Sequence, residues 1–210
     1  MCAGRNVVPG EAGGRPGDEA LGKNRWRKLL KASRASISLQ QRISEARALN
    51  DALRALALPS TVCAYVPFGT EPGSIAWLDL LRGAGARVLL PVIPPEPGPL
   101  HWAEYTGTAS LAPGRLRGVL EPTGPLLGPE ALGEAGLVLL PALAVDRSGV
   151  RLGRGAGYYD RSLPHVRPGA ALTAVVRDDE LVDHLPAEPH DVLMTAALTP
   201  CLGLVTLREN

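Results

Sequence analysis

Apolar residues recur at helical spacing in the first part of the chain and in short continuous runs after it. Trp26, Leu29 and Leu30 fall near one face of a first predicted helix, with lysine and arginine elsewhere. A second helix is predicted to begin at Ser38, which has a capping-box sequence after it, and to end before Pro59. The N-terminal part of the fold is therefore expected to be helical.

The short apolar segments after residue 60 have the length and composition of buried strands. They are Val62–Val66, Arg87–Val92, Leu137–Leu140, Ala171–Val176 and Leu193–Ala197, with a shorter strand at His101–Tyr105. Helices are predicted at Ile75–Leu81 and from Tyr158 to just before Pro164. This alternation predicts an α/β fold with a mostly parallel central sheet and helices on both faces, a three-layer, Rossmann-like (NagB–RpiA-like) arrangement. In such sheets ligands bind beyond the carboxyl ends of the strands.

Composition divides the chain into two unequal parts. Residues 1–22 contain six glycines and two prolines with few apolar residues, which predicts a flexible tail. Residues 23–210 are predicted to form a single α/β domain. We find no apolar signal segment and no run near the roughly 20 residues that a membrane crossing needs. A cytoplasmic location is therefore expected.

The charges are unevenly distributed. Residues 1–60 carry eleven basic and five acidic residues, whereas the net charge of the whole chain is only +1. A nucleic-acid-binding module built on residues 23–54 is one alternative, but Trp26 is the only aromatic residue interleaved with these charges. The spacing of the three cysteines matches no zinc site.

A glycine- and arginine-rich loop follows the predicted strand Leu137–Leu140. Its sequence, Arg151–Asp160, alternates three glycines with small or basic residues. Glycines let successive backbone N–H groups approach an anion, and arginines bind phosphate or carboxylate through two parallel hydrogen bonds. A helix that begins near Tyr158 would direct its N-terminus at the same anion, and Asp160 is suited to a hard cation. The residues alone leave open a glycine-rich turn with surface arginines.

The run Leu140–Asp146, then Gly149, then Arg151–Asp160 resembles the signature of 5-formyltetrahydrofolate cyclo-ligases, also called methenyltetrahydrofolate synthetases. The resemblance extends along nearly the whole chain from Lys23. It implies ATP- and Mg²⁺-dependent conversion of 5-formyltetrahydrofolate to the 5,10-methenyl form, with release of ADP and phosphate. The formyl oxygen would be phosphorylated and then displaced when N10 attacks.

The resemblance also implies residue roles. The ATP-binding residues would be Lys23, Arg27, Arg151, Leu152, Gly153, Arg154, Gly155, Ala156, Gly157, Tyr158 and Tyr159. The folate-binding residues would be Val66, Glu71, Arg154, Gly155, Ala156, Gly157 and Tyr158. Asp160 and Asp191 would hold Mg²⁺ as a carboxylate pair, and Arg154 would be catalytic.

Further positions agree with the family and a few depart from it. Lys23 and Arg27, four residues apart, match a basic pair on the first helix, and Glu121 matches a Glu-Pro sequence whose role is open. Ala142 stands where the family usually has Gly, Val145 where it has Phe, and Ala156 where relatives often have Gly or Lys.

The expected partners are ATP and a reduced folate, bound by a monomer without nucleic acid or membrane. Besides the nucleic-acid-binding module, the sequence leaves two alternatives. One is a non-catalytic folate- or nucleotide-binding relative of these enzymes. The other is a different phosphate-handling enzyme, such as a sugar-phosphate isomerase or a small kinase, of which the isomerase would need a well-placed general base.

Overall fold

The computed structural model describes residues 22–207, so nearly all of the predicted tail lies outside the described residues. Within them the helices are α1 (Lys23–Ala35), α2 (Leu39–Arg54), α3 (Ala76–Gly83) and α4 (Tyr158–Ser162). The strands are β1 (Thr61–Cys63), β2 (Arg87–Val92), β3 (His101–Glu104), β4 (Leu111–Pro113), β5 (Leu120–Pro122), β6 (Leu137–Pro141), β7 (Ala144–Asp146), β8 (Arg151–Leu152), β9 (Ala171–Val175), β10 (Leu181–Val182), β11 (Ala196–Thr199) and β12 (Gly203–Thr206). None of these helices combines the length and the apolar character that a membrane crossing needs.

Seven strands form the central sheet in the order β12-β11-β9-β6-β1-β2-β3. The five inner strands are parallel, and the edge strands β12 and β3 are antiparallel to their neighbours. The predicted α/β fold with a mostly parallel sheet is therefore confirmed. Two smaller sheets, β10-β7-β8 and the hairpin β4-β5, lie outside it.

Alternating side chains of the inner strands enter two separate cores. In β6, Leu137 and Leu139 pack with α2 and α3 on one face, whereas Val138 and Leu140 pack on the other. That second face is covered by Leu132 and Leu163 in 3₁₀ turns and by the tyrosines of α4. Strands buried on both faces are continuously apolar, which is why these segments were recognisable in the sequence.

Some element boundaries differ from the prediction. β1 ends at Cys63 rather than at residue 66, because only Ala64 beyond it still donates its N–H to the Leu89 carbonyl, at 2.9 Å. Ser38 caps α2 as predicted, accepting the N–H of Gln41 at 3.1 Å. The Gln41 side chain, however, donates to Glu45 instead of closing a capping box.

Helix α1 packs on the small sheet β10-β7-β8 rather than on the central sheet. Leu30 and Trp26 provide the contact, whereas Leu29 is half-exposed. The apolar partners beneath the helix are Leu143, Ala144, Val150, Leu152, Val182 and Leu185. Since β7 and β8 lead directly into the glycine loop, this packing brings α1 alongside that loop.

An ion pair in the interior fixes the C-terminal end of α1. The guanidinium of Arg34, 1% exposed, donates to both carboxylate oxygens of Glu180, at 2.6 and 2.7 Å. The same guanidinium donates to the Ala142 carbonyl at 2.6 Å. The pair thus joins α1, the end of β6 and the turn after β9 at one point.

Arg177 extends this arrangement to the other helix. Its guanidinium donates to Glu45 of α2 at 2.7 Å and to the Thr70 carbonyl at 3.1 Å, and its backbone N–H donates to Glu180 at 2.8 Å. The side chain is 3% exposed. Buried charges of this kind are tolerated only when each is paired and hydrogen-bonded.

We expect Arg34→Met to lower the free energy of unfolding by about 3–5 kcal/mol, because it leaves the charge of Glu180 buried without its main partner. Urea unfolding measures the change. Arg54→Met is the matched control: Arg54 pairs with Asp51 on the surface, and its loss should change the free energy by about 0.5 kcal/mol or less. Equal losses in the two variants would contradict the role given to Arg34.

Candidate active site

A pocket opens at the carboxyl edge of the central sheet, above β1, β2 and β6. Its volume is about 950 Å³ including the mouth. It is lined by Tyr65, Val66, Phe68, Glu71, Pro91, Ile93, Leu100, Leu116, Val119, Leu120, Glu121, Pro141, Ala142, Arg151, Gly153, Arg154, Gly155, Ala156, Gly157, Tyr158, Tyr159 and Asp160. The position is the one expected for ligands of parallel sheets.

Most of the residues predicted for the site line this pocket. They are Val66, Glu71, Arg151, Gly153, Arg154, Gly155, Ala156, Gly157, Tyr158, Tyr159 and Asp160. Leu152 does not line it: its side chain is 2% exposed and packs beneath α1. Lys23, Arg27 and Asp191 lie next to the lining rather than in it.

The glycine loop, residues 153–157, connects β8 to α4. Gly155 has φ +101° and Gly157 has φ +69°, values in the left-handed region that favours glycine. Arg27 of α1 donates from Nε to the Gly153 carbonyl at 3.0 Å. The first helix therefore touches the loop directly, and the joint role of Arg27 and the loop stays a prediction.

Asp146 fixes the turn that precedes the loop. This carboxylate is fully buried and accepts four hydrogen bonds within 2.7–2.9 Å. Three come from the N–H and hydroxyl of Ser148 and the N–H of Val150, and the fourth from the N–H of Leu185. The sequence shows this aspartate within a recognisable run but gives no sign of these four donors.

Two further ties connect α4 to the segment between β2 and β3. The buried hydroxyl of Ser162 accepts the N–H of Leu100 and donates to the Tyr158 carbonyl, both at 2.8 Å. Arg161 donates to the Gly98 carbonyl at 3.1 Å. The walls of the pocket formed by α4 and by residues 94–100 are therefore hydrogen-bonded to each other.

Arg151 lies at the floor of the pocket. It donates to Asp160 at 2.7 Å, and its guanidinium carbon lies 5.8 Å from the ring centroid of Tyr159. Burial lowers the pKa of Arg151, and the carboxylates of Asp160 and Asp191 oppose that shift. Both aspartates thus act on the same guanidinium.

Arg154 forms the other charged contact of the pocket. Its Nε lies 3.0 Å from Glu71 Oε1, and its guanidinium carbon lies 4.3 Å from the ring centroid of Phe68. The Arg154 side chain is 38% exposed, whereas that of Glu71 is 4% exposed. Burial raises the pKa of Glu71, although Arg154 and the N–H of Phe68 act against the rise. Arg154 thus favours the charged form of Glu71, while Arg154 itself remains accessible to a ligand.

Asp191 is paired with Lys23 rather than with Asp160. The Lys23 ammonium lies 3.0 Å from Asp191 Oδ2 and 3.2 Å from Glu188. Burial acts to raise the pKa of Asp191, but the N–H of Glu188 and the ammonium of Lys23 hold it below its ordinary value. Asp160 is paired with Arg151 instead, and the predicted carboxylate pair stays a prediction.

Sequence reasoning missed the apolar wall opposite the glycine loop. It consists of Pro91 and Ile93 at the end of β2 together with Leu116, Val119 and Leu120 of the hairpin. The Pro- and Gly-rich composition of residues 94–129 obscured these positions, because neither strand of the hairpin exceeds three residues. Glu121, from the Glu-Pro sequence that matches the family, lies in the same wall.

Comparison with known proteins identifies the family of this chain. A sequence model of the 5-formyltetrahydrofolate cyclo-ligase family matches residues 20–200. A 5-formyltetrahydrofolate cyclo-ligase from Mycolicibacterium smegmatis is 54% identical over 192 residues, covering 89% of this chain and 97% of the relative. This chain belongs to the 5-formyltetrahydrofolate cyclo-ligase family. The cyclo-ligase of Escherichia coli K12 is 31% identical over 147 residues, covering 69% of this chain and 80% of the relative.

Solved structures agree with this family assignment. The 5,10-methenyltetrahydrofolate synthetase of Aquifex aeolicus has a TM-score of 0.71 at 25% identity, covering 90% of this chain and 94% of its own. The synthetase of Mycoplasma pneumoniae shares the fold, with a TM-score of 0.65 at 21% identity and coverage of 83% and 96%. The resemblance found in the sequence is confirmed, and the roles of single residues stay predictions.

We expect Asp146→Asn to lower the free energy of unfolding by about 1–3 kcal/mol, because the amide nitrogen cannot accept the N–H bonds that one carboxylate oxygen accepts. Thermal or urea unfolding measures the loss. Asp183→Asn is the control, since the Asp183 side chain is 97% exposed. A stability of Asp146→Asn equal to that of the control would show that the four bonds do not fix the turn.

Proposed function

We propose that this chain converts 5-formyltetrahydrofolate to 5,10-methenyltetrahydrofolate, using ATP and Mg²⁺ and releasing ADP and phosphate. The observation that carries the proposal is a single pocket with a glycine- and arginine-rich loop on one wall and an apolar wall opposite, in a member of the cyclo-ligase family. Such a pocket suits two ligands at once, a triphosphate and an aromatic ring system.

The chemistry of the reaction explains why such a site suffices. A formamide carbon is a poor electrophile, and its oxygen is a poor leaving group. Transfer of the γ-phosphoryl group of ATP to the formyl oxygen activates both. N10 then attacks the formyl carbon and loses its proton, the carbon–oxygen bond breaks, and phosphate leaves with the oxygen. No protein nucleophile is needed, and the described residues that line the pocket include no serine, threonine, cysteine or histidine.

Catalysis is then positioning and neutralisation of charge. We assign Arg151, Arg154 and the backbone of residues 153–157 to the triphosphate, with Lys23 and Arg27 of α1 beside them. Arg154 is the best placed for the transferred phosphoryl group because it lines the pocket and is the more exposed partner of its ion pair. Val66 and Glu71, on the loop after β1, are assigned to the folate.

The donor atoms present suit Mg²⁺. Asp160 lines the pocket with about half of its side chain exposed, and within residues 22–207 only its Oδ1 accepts a hydrogen bond. Asp191 becomes available when Lys23 turns to the triphosphate. Carboxylates combined with phosphate oxygens and water are the usual magnesium ligands. When bound there, the ion would neutralise charge on the phosphate oxygens.

The proposal extends to the setting of the enzyme. We propose that residues 23–210 act as one domain and as a monomer in the cytoplasm. Its partners would be small molecules, ATP and a reduced folate, without nucleic acid or membrane.

A turnover assay tests the function. Purified protein is mixed with 5-formyltetrahydrofolate, ATP and Mg²⁺ while the near-ultraviolet absorption of the methenyl product is followed. We expect the band to grow, and to stop growing when ATP is omitted or the metal is chelated. A flat trace from folded protein that still binds ATP would leave a non-catalytic relative of these enzymes as the better description.

We expect Arg154→Ala to raise KM for ATP about ten- to hundredfold, the effect of losing a charged hydrogen bond to phosphate. The fold should remain intact, which circular dichroism checks, because Arg154 is partly exposed. Arg147→Ala is the control: Arg147 also precedes α4 but pairs on the surface with Asp183. Unchanged kinetics in Arg154→Ala would remove this residue from the phosphate site.

A further inference from the structure

Of the three carboxylates that line the pocket, that of Glu121 is the one to which the proposed mechanism gives no role. Glu121 lies in β5 of the hairpin and lines the pocket, and the hairpin packs against β2. The other glutamate, Glu71, is already paired with Arg154 at 3.0 Å. Within the described part of the chain, Glu121 has no such cationic partner.

The position of the Glu121 side chain is fixed in two ways. Its Oε1 accepts the backbone N–H of Ile93 at 3.2 Å. Its Cγ and Cδ cross directly over Gly114, where an added Cβ would lie only 2.6 Å from both atoms. A larger residue at position 114 would displace the glutamate side chain, so the glycine leaves room for this orientation. Oε2 accepts no hydrogen bond from residues 22–207, and Oε1 has a second lone pair. A placed carboxylate thus faces a ligand site with most of its hydrogen-bonding capacity unused.

Glu121 and the glycine loop lie on different walls of the pocket. The loop follows β8 beyond β6, whereas the hairpin lies beside β2, and β6 and β2 flank β1 in the sheet. Strands two apart are separated by about 10 Å. A folate is long enough to span this distance. Its formyl group can lie against the phosphates at the loop while its ring reaches Glu121.

The two ends of a folate differ in charge. The pterin ring carries an N–H and an amino group side by side, two donors that match the two oxygens of one carboxylate. The other end carries the carboxylates of glutamate, which Glu121 would repel. The apolar side chains beside Glu121, among them Ile93, Val119 and Leu120, suit the faces of a ring.

We propose that Glu121 binds the N3–H and 2-amino edge of the pterin ring and so determines which end of the folate enters the hairpin side of the pocket. The inference rests on the proposed function. Glu121 is a specificity-determining residue for the substrate; the N–H of Ile93 holds its carboxylate in position, and Gly114 leaves room for its side chain.

The test compares Glu121→Gln with the wild-type chain in the turnover assay. Glutamine keeps the acceptor for Ile93 but loses the charge and one acceptor atom. We expect KM for 5-formyltetrahydrofolate to rise about ten- to hundredfold, with KM for ATP and the thermal midpoint nearly unchanged. Glu130→Gln is the matched control, because Glu130 is an exposed glutamate outside the pocket lining.

A substrate analogue without the 2-amino group completes the test. It should bind wild-type protein more weakly than the parent folate, yet lose little further affinity in Glu121→Gln, since both changes remove the same contact. An unchanged or lowered KM for the folate in Glu121→Gln would overturn the inference. A lowered KM would indicate instead that the glutamate end of the folate binds beside Glu121. Absence of turnover in the wild-type chain would overturn the proposed function instead.

Discussion

Arg34 and Glu180 carry opposite charges into the interior of the protein, where neither is stable without the other. Burial of two charges costs about as much as their attraction returns, so the pair adds little net stability while intact. Its effect is on geometry: Arg34 holds α1 to the Ala142 carbonyl at the end of β6, and Arg177 adds Glu45 and the residue before Glu71. These contacts therefore fix the positions of two helices and two pocket-lining segments relative to one another.

The cations of the candidate site are also paired with carboxylates. Arg151 pairs with Asp160, Arg154 with Glu71, and Lys23 with Asp191. When one of these cations binds an anionic ligand, it exchanges a carboxylate partner for the ligand. The cation is therefore paired both before and after binding. Because each pair is more exposed than the interior pair of Arg34, such an exchange costs less desolvation.

The sequence allowed prediction of whatever depends on long or distinctive local patterns. The strand at 137–141 is apolar throughout, the strand at 87–92 is apolar after Arg87, and the glycine loop has a specific sequence. The hairpin and the sheet β10-β7-β8 consist of two- and three-residue strands, too short for any periodicity. The contacts that position the site were also hidden: Arg34 and Glu180 are 146 positions apart, and the donors to Asp146 are mostly backbone groups.

The two hydrogen bonds that Ser162 and Arg161 make to residues 94–100 have a consequence for how the pocket changes shape. Helix α4 and that segment are one mechanical unit, so a displacement of either carries the other with it. The glycines between β8 and α4, two of them at positive φ, are the positions where the backbone on the other side of α4 is least restricted. In the proposed mode of binding, a loop that moved toward a triphosphate would carry residues 94–100 with it, so each ligand would change the space left for the other.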